Sequence, residues 1–172
     1  MTQLKLFCTP PDPKQKTHTE SRAHWKLFID GASRNNPGNS GAGMYLLKDG
    51  EVALRNGFYL GIRTNNEAEY IALLLGLFFV RKAFGPNDSL RVISDSLLVV
   101  QQTKGVYKVR KAELKPLHAL AQKWMRECNA EVQHVLRTEN VEADRMANQG
   151  INKKIPVPQE FINAVHKHGI TW

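Results

Sequence analysis

Four carboxylates occupy positions from which they could act together. Asp30 closes the apolar run "KLFID", and Asp95 closes "RVISD". Glu69 lies early in the helical pattern "TNNEAEYIALLLGLFFVRKAF", and Asp144 lies early in "NVEADRMANQGI". A lone acid at the end of a buried strand is costly unless it is paired or bound to a metal. Taken singly, each has an ordinary explanation. Asp95 in "SDS" suits a helix cap, and Glu69 and Asp144 suit the positive end of a helix dipole. Taken together they suggest more. Two carboxylates about 4 Å apart repel by roughly 4 kcal/mol at an effective dielectric of 20. Three or four in one place would not all stay ionised without cations. Hard divalent ions with oxygen ligands, Mg²⁺ or Mn²⁺, are the usual solution. Two such ions roughly 3.5–4 Å apart can hold the attacking and the leaving oxygen of a phosphodiester.

The elements that would position these acids follow from the pattern. "WKLFID", "GAGMYLLKDG" and "EVALRNGFYLG" read as three strands, with a hairpin turn at Asp49-Gly50. The long helix is capped by Asn65 or Asn66 and stopped at Gly85-Pro86. Within it Glu69 shares a face with Ala72, Leu73 and Gly76 and points inward, whereas Glu67 points to solvent. "SLRVISD" is a fourth strand, and "SLLVVQQTKG" a short helix ending at Gly105. "ELKPLHALAQKWMREC" is a helix with Pro116 in its first turn. "AEVQHVLR" is a fifth strand, followed by the helix that carries Asp144. This order predicts an α/β fold, with three antiparallel strands, then parallel ones added by helical crossovers, and helices on the sheet. If the first and fourth strands are neighbours, Asp30 and Asp95 lie side by side at their carboxyl ends, where such sheets bind ligands. Residues 1–24 read as a flexible, proline-containing arm, 25–151 as the folded domain and 152–172 as a tail.

The totals point the same way. Lys and Arg number 24 against 16 acids, giving a net charge of +8 and a pI near 9.6. A basic domain has a polyanion as its natural partner. The two cysteines, Cys8 and Cys128, have neither metal-type spacing nor a disulfide framework, which fits a reducing compartment. The longest apolar stretch, "YIALLLGLFFV", is too short to span a bilayer, and the start lacks a secretory core. No membrane partner and a cytoplasmic location are therefore expected.

In this order and at these separations, "FIDGASRNNPGNSGAG", "TNNEAEY", "ISDS" and "NVEADRMAN" resemble the type 1 ribonuclease H family, over about residues 25 to 151. The resemblance implies a ribonuclease H-like five-stranded mixed sheet flanked by helices. It implies cleavage of the RNA strand of RNA–DNA hybrids, dependent on Mg²⁺ or Mn²⁺, with 3′-hydroxyl and 5′-phosphate ends. It assigns metal binding and catalysis to Asp30, Glu69, Asp95 and Asp144, which would hold two ions between them, with Asp144 the most exposed and most tolerant of change. One ion would activate a water and the other would stabilise the departing oxygen.

Many members carry a histidine on a loop before the last helix. His134 has a compatible separation from Asp144 but stands within an apparent strand. The short connection "LRTENVEAD" instead resembles the compact variant, in which an arginine, here Arg137, sits near the site. The resemblance places Asn36, Asn65 and Asn66 against the minor groove, where amides suit a 2′-hydroxyl and a base edge. Thr64 matches a position that contacts the DNA-strand phosphate. Gly31, Ala32 and Ser33 are small enough for the backbone to approach RNA. Larger members insert a basic helix after the short helix. Here "KGVYKVRKAELK" leaves room only for a basic loop, with Lys104, Lys108 and Arg110 as duplex contacts. A monomer is expected. Integrases and junction resolvases share acidic clusters, but "TNNEAEY" and "EADRMAN" argue against them. A non-catalytic binding module would have lost an acid, and none of the four is missing.

Overall fold

A computed structural model of the chain describes residues 22–172. The arm expected over residues 1–24 therefore falls, up to residue 21, outside the described residues. The packed chain begins two residues before the expected boundary at Trp25. Ala23 is buried, and its N–H donates to Asp88 Oδ1 at 2.9 Å.

Three long strands open the domain: β1 (His24–Arg34), β2 (Gly38–Lys48) and β3 (Glu51–Arg63). In β1, Trp25, Leu27 and Ile29 are buried while Lys26 is exposed, the period-two signature of a strand. Asp49 and Gly50 both adopt positive φ, at 51° and 87°, as the expected hairpin turn requires. After helix α1 (Asn65–Arg81), strand β4 (Ser89–Ser94) returns parallel to β1. Helices α2 (Leu97–Thr103) and α3 (Leu114–Glu127) lead to β5 (Ala130–His134), parallel to β4. A 3-10 turn over Arg137–Glu139 precedes α4 (Val141–Lys153), and α5 (Gln159–His166) follows it. The sheet has five strands in the order β3-β2-β1-β4-β5, antiparallel across the first two pairings and parallel across the last two, as the sequence predicts.

One feature of β1 differs from the sequence reading. The strand does not stop at Asp30. Its parallel ladder with β4 ends at the pair Ile29–Ser94, but its antiparallel ladder with β2 continues to Arg34. Asp30 thus sits at the fork where β4 leaves the sheet.

Side chains alternate along β1, so the two faces can be told apart. Leu27 and Gly31 face α1: a Cβ at Gly76 would meet the Leu27 side chain, and one at Gly31 would run into the α1 backbone at Ala68 and Glu69. Asp30 belongs to the other face. It pairs with Gly43, which pairs in turn with Gly57. A Cβ at Gly43 or Gly57 would collide with the main-chain oxygen of Ala143 or Met146 in α4. The row Asp30–Gly43–Gly57 therefore seats α4 against bare backbone, while α1 covers the opposite face.

α1 is the central core helix and is buried without interruption from Ala68 to Leu77. Thr64 caps it, not Asn65 or Asn66. Thr64 Oγ1 accepts from the Glu67 N–H at 3.3 Å, and Glu67 Oε2 accepts from the Thr64 N–H at 2.9 Å. Glu67 is therefore held in a reciprocal capping box, not left in solvent as its helical position suggests. The segment read as a tail is integral to the packing. Phe161 and Val165, four residues apart on α5, are buried, and the Phe161 ring meets Phe78 of α1 edge-on at 5.6 Å. Among the described residues, no helix is long and apolar enough to cross a membrane.

Candidate active site

The topology brings three of the four acids to one point. Asp30 comes from the β1 fork and Asp95 from the residue after β4. Glu69 projects from the second turn of α1 around the sheet end. One carboxylate oxygen from each lies within 4.8 Å of the others. Asp30 and Glu69 are each only 5% exposed, and Asp95 is half-buried. Glu69 Oε2 accepts from the Gly31 N–H at 3.0 Å, which ties the helix to the strand just past Asp30. Asp30 Oδ2 is buried and has no hydrogen-bond partner.

Asp144 lies outside this inner group. It sits in the first turn of α4, beside the cluster, and Oδ1 accepts from Arg137 Nη2 at 2.9 Å. Arg137 is 80% exposed at its side chain and bridges the acidic cluster to solvent.

Electrostatics follow from this crowding. The Asp30 carboxyl is pushed up to about 7, first by burial and then by the charges of Asp95 and Asp144, with Arg137 opposing. Glu69 is held well above the usual carboxylate range, again first by burial and then by Asp30 and Asp95. The Gly31 N–H opposes that shift but does not outweigh it. Without a cation the Asp30 carboxyl titrates near neutrality. All its donors are oxygens, several are anionic, and one is buried without a partner. That set fits a hard divalent ion and not a soft one.

The remaining predicted residues divide. Asn36 Oδ1 accepts from the Asn65 N–H at 3.0 Å, joining the turn after β1 to the start of α1. Thr64, Asn65 and Asn66 are half-buried there, close in sequence to Glu69. Ser33 Oγ lies 2.6 Å from Asn35 O and 3.0 Å from Arg63 O, so its one O–H donates to either and braces the same corner. Ala32 is half-buried on β1 beyond the fork. Gly31 is buried against α1, and its lack of a side chain is what admits the helix backbone. His134 stands at the end of β5 and not on a loop. Its Nε2 lies 3.2 Å from the Asp95 main-chain oxygen, which engages the ring with the backbone. Lys104, Lys108 and Arg110 are exposed on the segment between α2 and α3. This segment is anchored, because the N–H groups of Val106 and Tyr107 both donate to Gln101 O.

Asn140 is a further residue at the cluster, one that the sequence motifs do not single out. It is 1% exposed, and its Nδ2 donates to Ile29 O at 2.8 Å and to Asp95 Oδ1 at 3.1 Å. The available signal was a capping-type amide directly ahead of the helix that carries Asp144.

Comparison with known proteins agrees with this architecture. A family model described as reverse transcriptase-like matches residues 28–150. Ribonuclease HI of Halobacterium salinarum is 33% identical over 127 residues, covering 73% of this chain and 63% of that protein. A bifunctional protein of Mycobacterium tuberculosis is 37% identical over 131 residues, covering 73% of this chain and 35% of its own length. The chain thus spans less than two thirds of the length of these curated relatives. The crystal structure of RNase H1 from H. salinarum superposes with a TM-score of 0.70 at 32% identity, covering 77% of this chain and 99% of that one. LC11-RNase H1, solved in complex with an RNA/DNA hybrid, superposes with a TM-score of 0.71 at 32% identity, covering 75% and 97%. The chain belongs to the type 1 ribonuclease H family.

Proposed function

We propose that this protein is an endoribonuclease that hydrolyses the RNA strand of RNA–DNA hybrids and leaves 3′-hydroxyl and 5′-phosphate ends. One observation carries the reading: three carboxylates converge within 4.8 Å, and one of their oxygens is buried without a partner. Asp30, Glu69 and Asp95 would hold Mg²⁺ or Mn²⁺, with Asp144 completing the set for a second ion once substrate is present. Bound there, the ions would supply an activated water and a counter-charge for the departing oxygen. The chain's own residues do the rest. Glu69, fixed by the Gly31 N–H, keeps one orientation at the cluster. Arg137 neutralises Asp144 and offers a free guanidinium edge to phosphate. The amides of Asn36, Asn65 and Asn66, with Thr64, border the site where a 2′-hydroxyl would be read. The hybrid held by LC11-RNase H1, a structure similar to this one, supports that choice of substrate. A monomer suffices for this site, since all four acids come from one chain.

The test is a labelled RNA–DNA hybrid incubated with Mg²⁺, with Mn²⁺ or with chelator, beside Asp95→Asn. Duplex DNA, double-stranded RNA and single-stranded RNA serve as controls. Metal-dependent cuts confined to the hybrid's RNA strand, and lost in the variant, are the expected outcome. Binding without cutting under both metals would leave a hybrid-binding module instead.

A further inference from the structure

We propose that Asn140 is a positioning residue that aims the Asp95 carboxylate into the acidic cluster, an inference that rests on the metal-site reading above. Its primary amide makes two donations from one nitrogen, to Ile29 O and to Asp95 Oδ1. Ile29 O belongs to the peptide that leads into Asp30. A single NH₂ group therefore fixes the backbone ahead of one cluster acid and the side chain of another. The main chain of Asn140 extends the frame. Its N–H donates to Arg137 O, and its carbonyl accepts from the Asp144 N–H, each at 3.1 Å. One buried residue thus references Asp30, Asp95, Arg137 and Asp144 to each other.

The orientation of the amide is fixed by its surroundings. Turned over, its oxygen would face two acceptors. As oriented, Asn140 Oδ1 is buried and has no partner. An unpaired buried acceptor is destabilising. An aliphatic side chain would avoid that cost but would take the donor from Ile29 O as well as from Asp95 Oδ1. The bond to Ile29 O serves the fold, and the bond to Asp95 Oδ1 serves the cluster. With Oδ1 tethered, the carboxylate of Asp95 keeps one plane toward Asp30 and Glu69. An aspartate at 140 would turn an acceptor toward two acceptors, and a leucine would free the Asp95 carboxylate to rotate.

The experiment compares wild type with Asn140→Leu, Asn140→Asp and Asn140→Ser. Folding is read by thermal melting, Mn²⁺ and Mg²⁺ binding by calorimetry without nucleic acid, and kcat and KM on the hybrid. Outer-shell partners of metal ligands typically set affinity or activity by about 10–100-fold. The folded variants are expected to need about 10–100-fold more Mn²⁺ for half-saturation. Their kcat should fall at fixed metal and recover partly when metal is raised, while KM for the hybrid stays within about threefold. A folded leucine variant that binds Mn²⁺ like wild type would overturn the proposal. So would loss of the fold in all three variants, because Asn140 would then hold the domain together instead of aiming one group. A wild type that binds metal but does not cut the hybrid would remove the proposed reaction and leave this comparison decisive. A wild type that binds neither ion would overturn both.

Discussion

Asp30 carries an electrostatic conflict whose consequence is measurable. Its carboxyl is raised from 3.8 to about 7, chiefly by burial and then by Asp95 and Asp144. The folded chain therefore retains a proton that the unfolded chain releases between about pH 4 and 7. A raised folded-state pKa favours folding fully below the unfolded value, and the benefit is lost as pH climbs through the folded value. The metal-free protein should melt at progressively lower temperature from pH 4 to 7.5. Asp30→Asn should flatten part of that slope, Glu69 carrying the remainder, and Mg²⁺ or Mn²⁺ should raise the melting temperature at pH 8 in wild type far more than in the variant. A flat melting profile for metal-free wild type would mean that the cluster holds no such proton. Asp144 is in a different position, outside the inner three and already paired with Arg137. Asp144→Asn should keep measurable cleavage where Asp95→Asn keeps none, and single-turnover rates on the hybrid would separate them.

At the scale of elements, much was legible because strand and helix periods are local. The alternation of Trp25, Leu27 and Ile29 defines β1, and the order of elements defines the mixed sheet. What sequence did not reveal depends on through-space partners. Thr64 and not an asparagine caps α1, because Glu67 three residues on can answer it. Asn140 reads as an ordinary helix start until Ile29 and Asp95, distant in sequence, arrive beside it. Gly31 reads as a concession to the substrate, whereas the pressing neighbour is α1. Two predictions belong to this level. Thr64→Ala removes one half of the capping box and should cost about 1 kcal/mol. In a domain of this size that is a drop of roughly 2–4 °C in melting temperature. Gly43→Ala places a methyl where the Ala143 carbonyl of α4 sits. Overpacking of this kind costs about 1–3 kcal/mol. Because the first turn of α4 carries Asp144, activity should fall with stability, whereas Thr64→Ala should leave kcat largely intact. Melting curves and kcat from the same preparations decide whether the glycine row serves α4 or only the sheet.

At the scale of the molecule, the net charge of +8 must be matched to a surface that meets the substrate. The cluster itself is anionic, so the attraction for a polyanion has to come from elsewhere on the same face. The segment between α2 and α3 is suited to this. It begins one short helix away from Asp95, about 10 Å along α2. Lys104, Lys108 and Arg110 are exposed on it, and its bonds to Gln101 hold it to α2. An anchored set of cations contributes to affinity by displacing counterions from phosphates, with little influence on the bond being cut. Replacing all three residues with glutamine should therefore raise KM for the hybrid while kcat at saturating substrate stays near wild type. Each lost phosphate contact should also reduce the slope of log affinity against log salt by about 0.9. Binding isotherms from 50 to 300 mM KCl, measured with chelator so that cleavage does not intervene, would provide that slope. A slope equal to wild type would assign the grip on the duplex to other cations of the basic surface. A fall in kcat with unchanged KM would instead mean that the loop acts on the cluster through α2.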